Sequence, residues 1–398
     1  MPRAAPLLRI ALVTETYPPE VNGVAMTIAR LVNGLSDLGH ELQLIRPRQK
    51  SVNDASADGV AELVTVPGFT LPFYRSLQLG LPAGARLQRL WRNTPPDVVH
   101  IVTEGPLGAS ALRVARRLGL LVVSGFHTNF HSYSSYYRLG FLQQLIVAYL
   151  RRFHNRCRAT LVPTQDTARA LRDLAFDNIQ VLARGVDTRL YSPARRSQGL
   201  RREWGADDDT PVVLYVGRLA AEKNLALAID AFQAIRNIHP AARFVLVGDG
   251  PLAARLRSEH PDFIFCGTRR GVELAAHYAS ADVFLFPSRT ETFGNVTLEA
   301  MASGLAVIAF DYAAAHAHIE HGYSGLLAPL DDTSMFVAAA RDVARDPGRA
   351  RLMGSNAVNA VQASDWSRIV DELIQLYLNL GRAATVVSST HTQNVPWQ

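Results

Sequence analysis

The stretch DVFLFPSRTETFGNVTLEAMASGLAVIAF, Asp282 to Phe310, carries the pattern that decides the fold. The apolar run at each end is typical of a buried strand, and the segment between them has the period of a helix. Parallel strands need such a crossover to become neighbours. The same alternation recurs along most of the chain, so we predict an α/β protein built from doubly wound, Rossmann-like parallel sheets.

Two series of strand-like runs divide the chain. The first opens with LRIALVT at residue 8 and the second with PVVLYVG at residue 211. Residues 188–210 are polar and charged, which favours a linker, and 398 residues exceed the size of one growing core. We predict domains over 1–190 and 191–365 that face each other across a cleft, a helix at about 366–382 that packs back on the first domain, and a disordered tail over 383–398.

Composition narrows the class of protein. Two distant cysteines, Cys157 and Cys266, offer neither a disulfide framework nor metal-ligand spacing. The apolar runs are broken by Arg before they reach membrane-spanning length, and the first run is too short for a signal peptide, so we expect a cytoplasmic protein. Residues 1–190 hold 22 Lys and Arg against 13 Asp and Glu, a net charge of +9. Such a basic half suits a phosphate-rich partner or an anionic membrane, and a solvated arginine surface is the alternative.

The helix within the quoted stretch contains a carboxylate where its neighbours are small or apolar. Glu299 would cost several kcal/mol in that environment unless hydrogen-bond donors or a polar ligand meet it. Gly294 and Asn295 stand at the helix entrance, where a glycine lets an anion approach the backbone N–H groups. Glu291 lies on the loop that precedes them. We interpret this pattern as a ligand site; a capping box with a buried ion pair is the alternative.

Arginine supplies all but two of the 41 basic residues, and the lysines are Lys50 and Lys223. Lys223 comes soon after the first strand of the second domain, five residues beyond Arg218. A lysine at this position in a chain so rich in arginine indicates that a compact ammonium group is needed there. Arg218 and Lys223 together would neutralise a diphosphate, and a surface pair with Glu222 is the alternative.

These motifs carry a resemblance. GRL…EKN, VGDGP, SADVFLFPS and ETFGNVTLEAMASG, in this order and spacing, resemble family 4 of the retaining nucleotide-sugar glycosyltransferases, which have the GT-B fold. In the first domain TETYPPEVNGV, PDVVHI, GFHTNF, VPT and RGVD match the same family. Two places depart from its pattern: Asn22-Gly23 stands where two glycines are common, and DYAAAHAHI replaces a Gly-rich turn. Apart from these two places, the resemblance covers nearly the whole chain.

The resemblance assigns roles to particular residues. Glu291 would hold hydroxyls of the donor hexose, Glu299 those of the ribose, and Arg218 with Lys223 the diphosphate. His127 would lie beside the donor sugar, and Gly23 would let the backbone approach the phosphate or the acceptor. The residues implied are His127 and Glu291 as catalytic, and Gly23, Arg218, Lys223, Phe293, Gly294, Asn295 and Glu299 as substrate-binding.

The resemblance also implies a reaction. We expect retaining, metal-independent hexose transfer from a nucleoside diphosphate sugar to an acceptor hydroxyl, without a cofactor; GDP-mannose is favoured slightly over a UDP-hexose. A nucleotide-sugar epimerase of similar fold and a non-catalytic nucleotide-sugar-binding protein are the alternatives.

The acceptor is expected to be a membrane lipid or a cell-envelope glycan, and no nucleic acid partner is expected. Tyr136, Tyr137 and Arg138, followed by basic residues at 151–158, suggest docking of the first domain on the inner face of an anionic membrane. A helix packed inside the domain, with its arginines merely solvated, is the alternative.

Overall fold

A computed structural model describes residues 6–20, 22–49, 59–71, 74–127, 140–291 and 293–391. The chain forms two compact units, Met1–Ala183 together with Trp366–Gln398, and Arg184–Asp365. Each unit is built on a parallel sheet flanked by helices, which confirms the predicted α/β class. None of the described helices is long and apolar enough to cross a bilayer.

The first unit holds a parallel sheet that has seven strands within the described residues, in the order β3-β2-β1-β6-β7-β8-β9. Its strands, with the antiparallel hairpin β4-β5, are β1 Arg9–Val13, β2 Glu41–Pro47, β3 Glu62–Val66, β4 Gly68–Leu71, β5 Tyr74–Gly80, β6 Val98–Ile101, β7 Val122–Gly125, β8 Ala159–Val162 and β9 Ile179–Val181. Its helices are α1 Gly23–Asp37, α2 Gly84–Asn93, α3 Pro106–Arg117, α4 Gly140–His154 and α5 Gln165–Asp173. The strand order reverses between β1 and β6, which makes the carboxyl ends of these strands the expected ligand edge.

The second unit repeats this plan with six strands in its described sheet, in the order β12-β11-β10-β13-β14-β15. The strands are β10 Val212–Val216, β11 Arg243–Val247, β12 Ile264–Gly267, β13 Val283–Phe286, β14 Ala306–Phe310 and β15 Leu326–Ala328. The helices are α6 Gln198–Glu203, α7 Leu225–Arg236, α8 Ala253–Glu259, α9 Gly271–Ala279, α10 Asn295–Ala302, α11 Ala313–His318, α12 Thr333–Arg345 and α13 Pro347–Val361. Short 3₁₀ turns occupy Pro193–Arg195, Ala221–Lys223 and Gln362–Ser364. The strand order reverses between β10 and β13, so this unit has its own ligand edge.

The boundary between the units lies at 183/184 instead of the predicted 190/191. Val186 pairs with Asp365, and the carboxylate of Asp365 accepts the hydroxyl of Thr188 at 2.7 Å, so this segment already belongs to the second unit. The predicted linker over 188–210 is also packed. Its Arg201 is fully buried and donates to the carbonyls of Ser280, at 2.9 Å, and Thr210, at 2.8 Å. The polar composition of this segment did not reveal its packing, because a sequence does not distinguish a buried arginine from a solvated one.

The C-terminal helix, α14, spans Trp366–His391 and belongs to the first unit. Val370 packs so closely on α1 that a Cβ on Gly34 would lie 2.6 Å from its Cγ2 atom. The hydroxyl of Tyr377 lies 2.7 Å from Nδ1 of the buried His100 in β6. The helix continues past the predicted end at 382, as far as His391, into the stretch for which a disordered tail was predicted.

Candidate functional site

The loop after β13 holds an ion pair at the ligand edge of the second sheet. The Nζ atom of Lys223 contacts Oε1 of Glu291, and the side chains are 18% and 16% exposed. The Ser288 hydroxyl donates to the same carboxylate oxygen at 2.6 Å and lies 3.4 Å from the ammonium. Two residues that lie far apart in the sequence are thus brought together, and Ser288 joins them.

Close backbone packing holds the Lys223 loop in place. Gly248 and Gly250 of the VGDGP motif lie against the chain that follows β10. A Cβ on Gly248 would lie 1.9 Å from the carbonyl oxygen of Gly217, and one on Gly250 would lie 2.4 Å from that of Leu219. This motif therefore needs glycine because it lets the loops after β10 and β11 approach each other.

The start of α10 lacks a side-chain cap in the described residues. Gly294 precedes the helix with φ +94, a conformation that favours glycine, and no side chain caps the helix within the described residues. Phe293 is 1% exposed and Asn295 is the first helical residue. Backbone N–H groups at such a helix start bind anions readily, so this end suits a phosphate or a sugar oxygen.

Glu299, one turn into α10, meets the buried donor that its environment requires. The hydroxyl of Tyr278, at the end of α9, donates to its Oε2 at 3.0 Å. Tyr278 is fully buried, and burial followed by the nearby Glu299 charge raises its pKa well above the usual value. Tyr278 therefore stays a neutral donor that orients the carboxylate. The sequence analysis missed it, although it stands two residues before the SADVFLFPS motif.

Arg218 follows β10 as predicted, yet its side chain is 64% exposed. It lies 3.5 Å from the carboxylate of Glu222, one turn away. This is the surface pair that formed the alternative interpretation. The backbone carbonyl of Arg218 accepts the hydroxyl of Tyr215 at 3.1 Å, so the loop is fixed while the guanidinium stays near solvent.

Arg184 is a buried cation that the sequence analysis left unassigned, although it opens the quoted RGVD motif. It is 5% exposed, and its guanidinium lies 5.7 Å from the centre of the Phe293 ring. Burial lowers its pKa to about 10, and the charge of Glu291 opposes that shift. Arg184 therefore adds a second cation to the surroundings of Glu291.

Gly23 and His127 lie in the first unit, at the ligand edge of its sheet. Gly23 is the first residue of α1, and the preceding Asn22 caps the helix by accepting from the Ala25 amide at 2.8 Å. His127 comes two residues after β7, and its Nε2 lies so near Gly125 that a Cβ there would be 2.5 Å away. Residues 128–142, which include the predicted aromatic cluster at Tyr136 and Tyr137, have side chains that lie outside the described residues.

A buried carboxyl, Glu15, shares that edge of the first sheet and was also missed. It is 3% exposed and accepts a hydrogen bond from the Leu107 amide at 3.1 Å. Burial raises its pKa to about 7. Its place in the quoted motif TETYPPEVNGV, directly after β1, was the available signal. The first unit thus carries an ionisable group that changes charge near neutral pH.

The chain is similar in sequence to known glycosyltransferases. The family model described as "Glycosyltransferase Family 4" matches residues 21–190, and the model "Glycosyl transferases group 1" matches residues 210–346. A GDP-mannose-dependent alpha-mannosyltransferase of Mycobacterium tuberculosis is 35% identical over 373 residues, covering 93% of this chain and 96% of the relative. An alpha-monoglucosyldiacylglycerol synthase of Acholeplasma laidlawii is 28% identical over 344 residues, covering 80% and 84%.

Solved structures show the same architecture. HepE from Anabaena, crystallised in complex with UDP, matches with a TM-score of 0.75 over 94% of this chain and all of that one. Its sequence is 18% identical, so the likeness concerns the fold. The predicted two-domain, Rossmann-like GT-B fold is confirmed.

Proposed function

This chain belongs to glycosyltransferase family 4 and is a hexosyltransferase, and from that premise we propose a retaining transfer of mannose from GDP-mannose to a hydroxyl of a membrane lipid. The observation that supports it most is the arrangement at α10, where Lys223 pairs with Glu291 of the preceding loop, Gly294 precedes the helix and Glu299 lies within it. The mannosyltransferase relatives favour this donor over a UDP-hexose.

The donor would be held by groups of matching chemistry. The carboxylate of Glu299, oriented by Tyr278, accepts hydrogen bonds from the ribose hydroxyls. The α10 amides and Lys223 take the diphosphate, and Arg218 swings in from solvent to join them. Glu291 accepts from hydroxyls of the hexose, with Phe293 and Asn295 shaping the loop. This assignment uses every predicted residue of the second unit.

The chemical step follows from these positions. The bond between the anomeric carbon and the diphosphate oxygen breaks, and the charge that grows on the leaving group is stabilised by Lys223 and the helix amides. The acceptor oxygen attacks the oxocarbenium-like centre from the same face and passes its proton to the departing phosphate. His127 acts beside the reacting sugar, and the Gly23 backbone contacts the acceptor. The step needs no metal, and activity in the presence of EDTA tests that point.

The acceptor proposal combines two kinds of support. The A. laidlawii relative is named for a diacylglycerol product, and the first 190 residues of this chain carry the net charge of +9. We propose that the first unit docks reversibly on the inner, anionic face of a membrane and so reaches a lipid acceptor.

A donor panel tests the function. Purified protein is incubated with GDP-mannose, GDP-glucose, UDP-glucose and UDP-galactose, with a bacterial lipid extract in detergent, and released nucleotide and glycolipid are measured. We expect lipid-dependent release of GDP from GDP-mannose above all others. Binding of GDP-mannose without any release would instead indicate the non-catalytic nucleotide-sugar-binding protein, and an isomerised donor would indicate the epimerase.

A further inference from the structure

A groove of about 420 Å³ runs between α3 and α4 on the first unit. Its walls carry five arginines, Arg113, Arg116, Arg117, Arg152 and Arg156, all of which are exposed. No carboxylate stands among the described residues that line it. Five cations in one groove repel each other, and a bound phosphate group would relieve that repulsion. The groove therefore suits a phosphate-bearing ligand.

The helix ends explain only part of this arrangement. Arg116 and Arg117 lie in the last turn of α3, and Arg152 lies in the last turn of α4, where cations interact favourably with the helix dipole. The dipole accounts for arginine near a helix end. It does not require the two sets to face the same groove, and none of the five guanidinium groups is paired with a described carboxylate.

The floor of the groove is apolar, and an exposed apolar side chain, Leu145, extends this surface along α4 one turn beyond the groove wall. Leu112 and Phe153, each 4% exposed, form the floor. On α4, Leu145 is 52% exposed and Tyr149 is 46% exposed, and with Arg152 they follow the spacing of one helical face. Exposed apolar side chains in line with arginines are typical of a surface that meets the membrane interface, where headgroup phosphates and acyl chains adjoin. A purely ionic partner such as nucleic acid would leave Leu145 without a role.

We propose that the groove between α3 and α4 binds the phosphate headgroup of an anionic phospholipid at the membrane surface. The arginines bind the phosphate and Leu145 enters the boundary with the acyl chains, while Tyr149, whose hydroxyl donates to the Glu104 carbonyl, stays in the groove wall. This inference deepens the membrane docking proposed above and rests on it. It names the docking surface and separates that surface from the reacting groups.

The topology places the arginine end of the groove away from the reacting groups of this unit. α3 begins after the carboxyl end of β6 and runs back toward the amino ends of the strands, where Arg116 and Arg117 lie. Arg156 precedes β8, at that same amino edge. His127 follows the carboxyl end of β7. The lipid bound by the arginines is therefore an anchor and is distinct from the acceptor.

Vesicle sedimentation with two charge-matched variants tests the proposal. R113Q/R116Q/R152Q removes three groove arginines, and R341Q/R351Q/R368Q removes three exposed arginines elsewhere. We expect the groove variant to bind phosphatidylglycerol-containing vesicles about a hundredfold more weakly at low salt, while the control variant stays close to wild type. Neutral phosphatidylcholine vesicles should bind neither. Equal losses in both variants, or no loss in the groove variant, would overturn the proposal.

Two further measurements separate the sources of the anion and the two proposals. Leu145→Ser should weaken vesicle binding and leave binding to a short DNA duplex unchanged; a duplex that binds wild type as tightly as the vesicles would overturn the lipid assignment. The thermal shift produced by GDP-mannose should be equal in wild type and the groove variant. Absence of that shift from wild type would count against the proposed function, while groove-dependent vesicle binding would still report on the docking surface.

Discussion

The ligand edges of the two sheets treat carboxylates in different ways. In the second unit Glu291 contacts Lys223, and Glu299 accepts from the neutral hydroxyl of Tyr278. In the first unit Glu15 is buried, accepts from one backbone amide, and forms no ion pair with the residues that are described. At the second edge both carboxylates have side-chain partners, whereas at the first edge the Glu15 carboxyl has none in the described residues and gains a proton near neutral pH.

The first edge shows that a helix start does not guarantee a charged carboxylate. Glu15 lies against the N-terminus of α3, so close that a Cβ on Gly105 would be 2.0 Å from its Oε2. The helix dipole favours the anion there, and the Leu107 amide lowers the pKa. Burial has the larger effect and raises it to about 7. At this edge desolvation outweighs hydrogen bonding.

The largest effect is expected from breaking the pair in the second unit. Lys223→Ala removes the cation beside Glu291 and the charge proposed to stabilise the leaving group, so kcat should fall by about a hundredfold to a thousandfold. Lys223→Arg keeps the charge but replaces a compact ammonium with a planar guanidinium, so its kcat should lie between those of wild type and Lys223→Ala. Steady-state kinetics with GDP-mannose measures both.

Arg289→Ala is the matched control, because Arg289 stands on the same loop in an exposed pair with Asp331 at 2.7 Å. Exposed pairs contribute little, so its kinetics should match wild type. Wild-type turnover in Lys223→Arg and Lys223→Ala would remove Lys223 from the site.

The first edge should make stability depend on pH. The pKa of Glu15 is raised from 4.5 to about 7, so the folded state holds a proton that the unfolded chain has released. Its contribution is complete below pH 4.5 and is lost as pH rises toward 7, by at most about 3 kcal/mol. Glu15→Gln should flatten this fall in the free energy of unfolding, measured by urea denaturation at several pH values.

Glu41→Gln offers a control of the opposite sign. Its hydrogen bond from Arg9 lowers the pKa of the exposed Glu41, so removing it should leave the fall between pH 4.5 and 7 in place. A wild-type protein whose stability is level across that window would show that Glu15 titrates normally.

Candidate residues of the second edge stood out in the sequence and Glu15 of the first did not, for a physical reason. Charged partners leave a visible signal: a lone lysine, a glutamate in an apolar helix, a glycine before it. The sequence therefore predicted Lys223, Glu291, Gly294 and Glu299 as site residues, and the structure pairs Lys223 with Glu291 and places Gly294 before α10 and Glu299 within it. Glu15 leaves only its place in the motif TETYPPEVNGV, because its environment consists of a backbone amide and burial, which only the fold supplies.

Hydroxyl partners were missed for a related reason. Serine and tyrosine are compatible with surface and core alike, so neither Ser288 nor Tyr278 stood out until the structure placed it beside a carboxylate. The buried Arg184 was left unassigned, and the buried Arg201 fell within the predicted linker, because a sequence does not distinguish a buried arginine from a solvated one. Strand alternation, by contrast, is periodic over many residues, and the predicted α/β class and family were confirmed.

A medium effect is expected at Glu299. Glu299→Ala removes the proposed acceptor for the ribose hydroxyls, and donor affinity should fall by about tenfold to a hundredfold. Tyr278→Phe keeps the carboxylate and removes only its orienting donor, so the loss should be less than tenfold. Calorimetric titration with GDP measures both. If Glu299→Ala melts at a lower temperature yet binds GDP as wild type does, the residue is structural.

The smallest effect sharpens how the second edge holds its pair. Ser288 donates to Glu291 at 2.6 Å and lies 3.4 Å from the Lys223 ammonium, so its hydroxyl orients both groups and carries no charge itself. Ser288→Ala should lower kcat/KM about threefold to tenfold, because it removes one hydrogen bond from an uncharged donor, worth about 1 kcal/mol. Ser288→Thr, which restores a hydroxyl, should recover most of the rate. If Ser288→Ala instead lowers kcat/KM as much as Lys223→Ala does, the hydroxyl is needed to hold Lys223 and Glu291 together, and their charges alone are not sufficient.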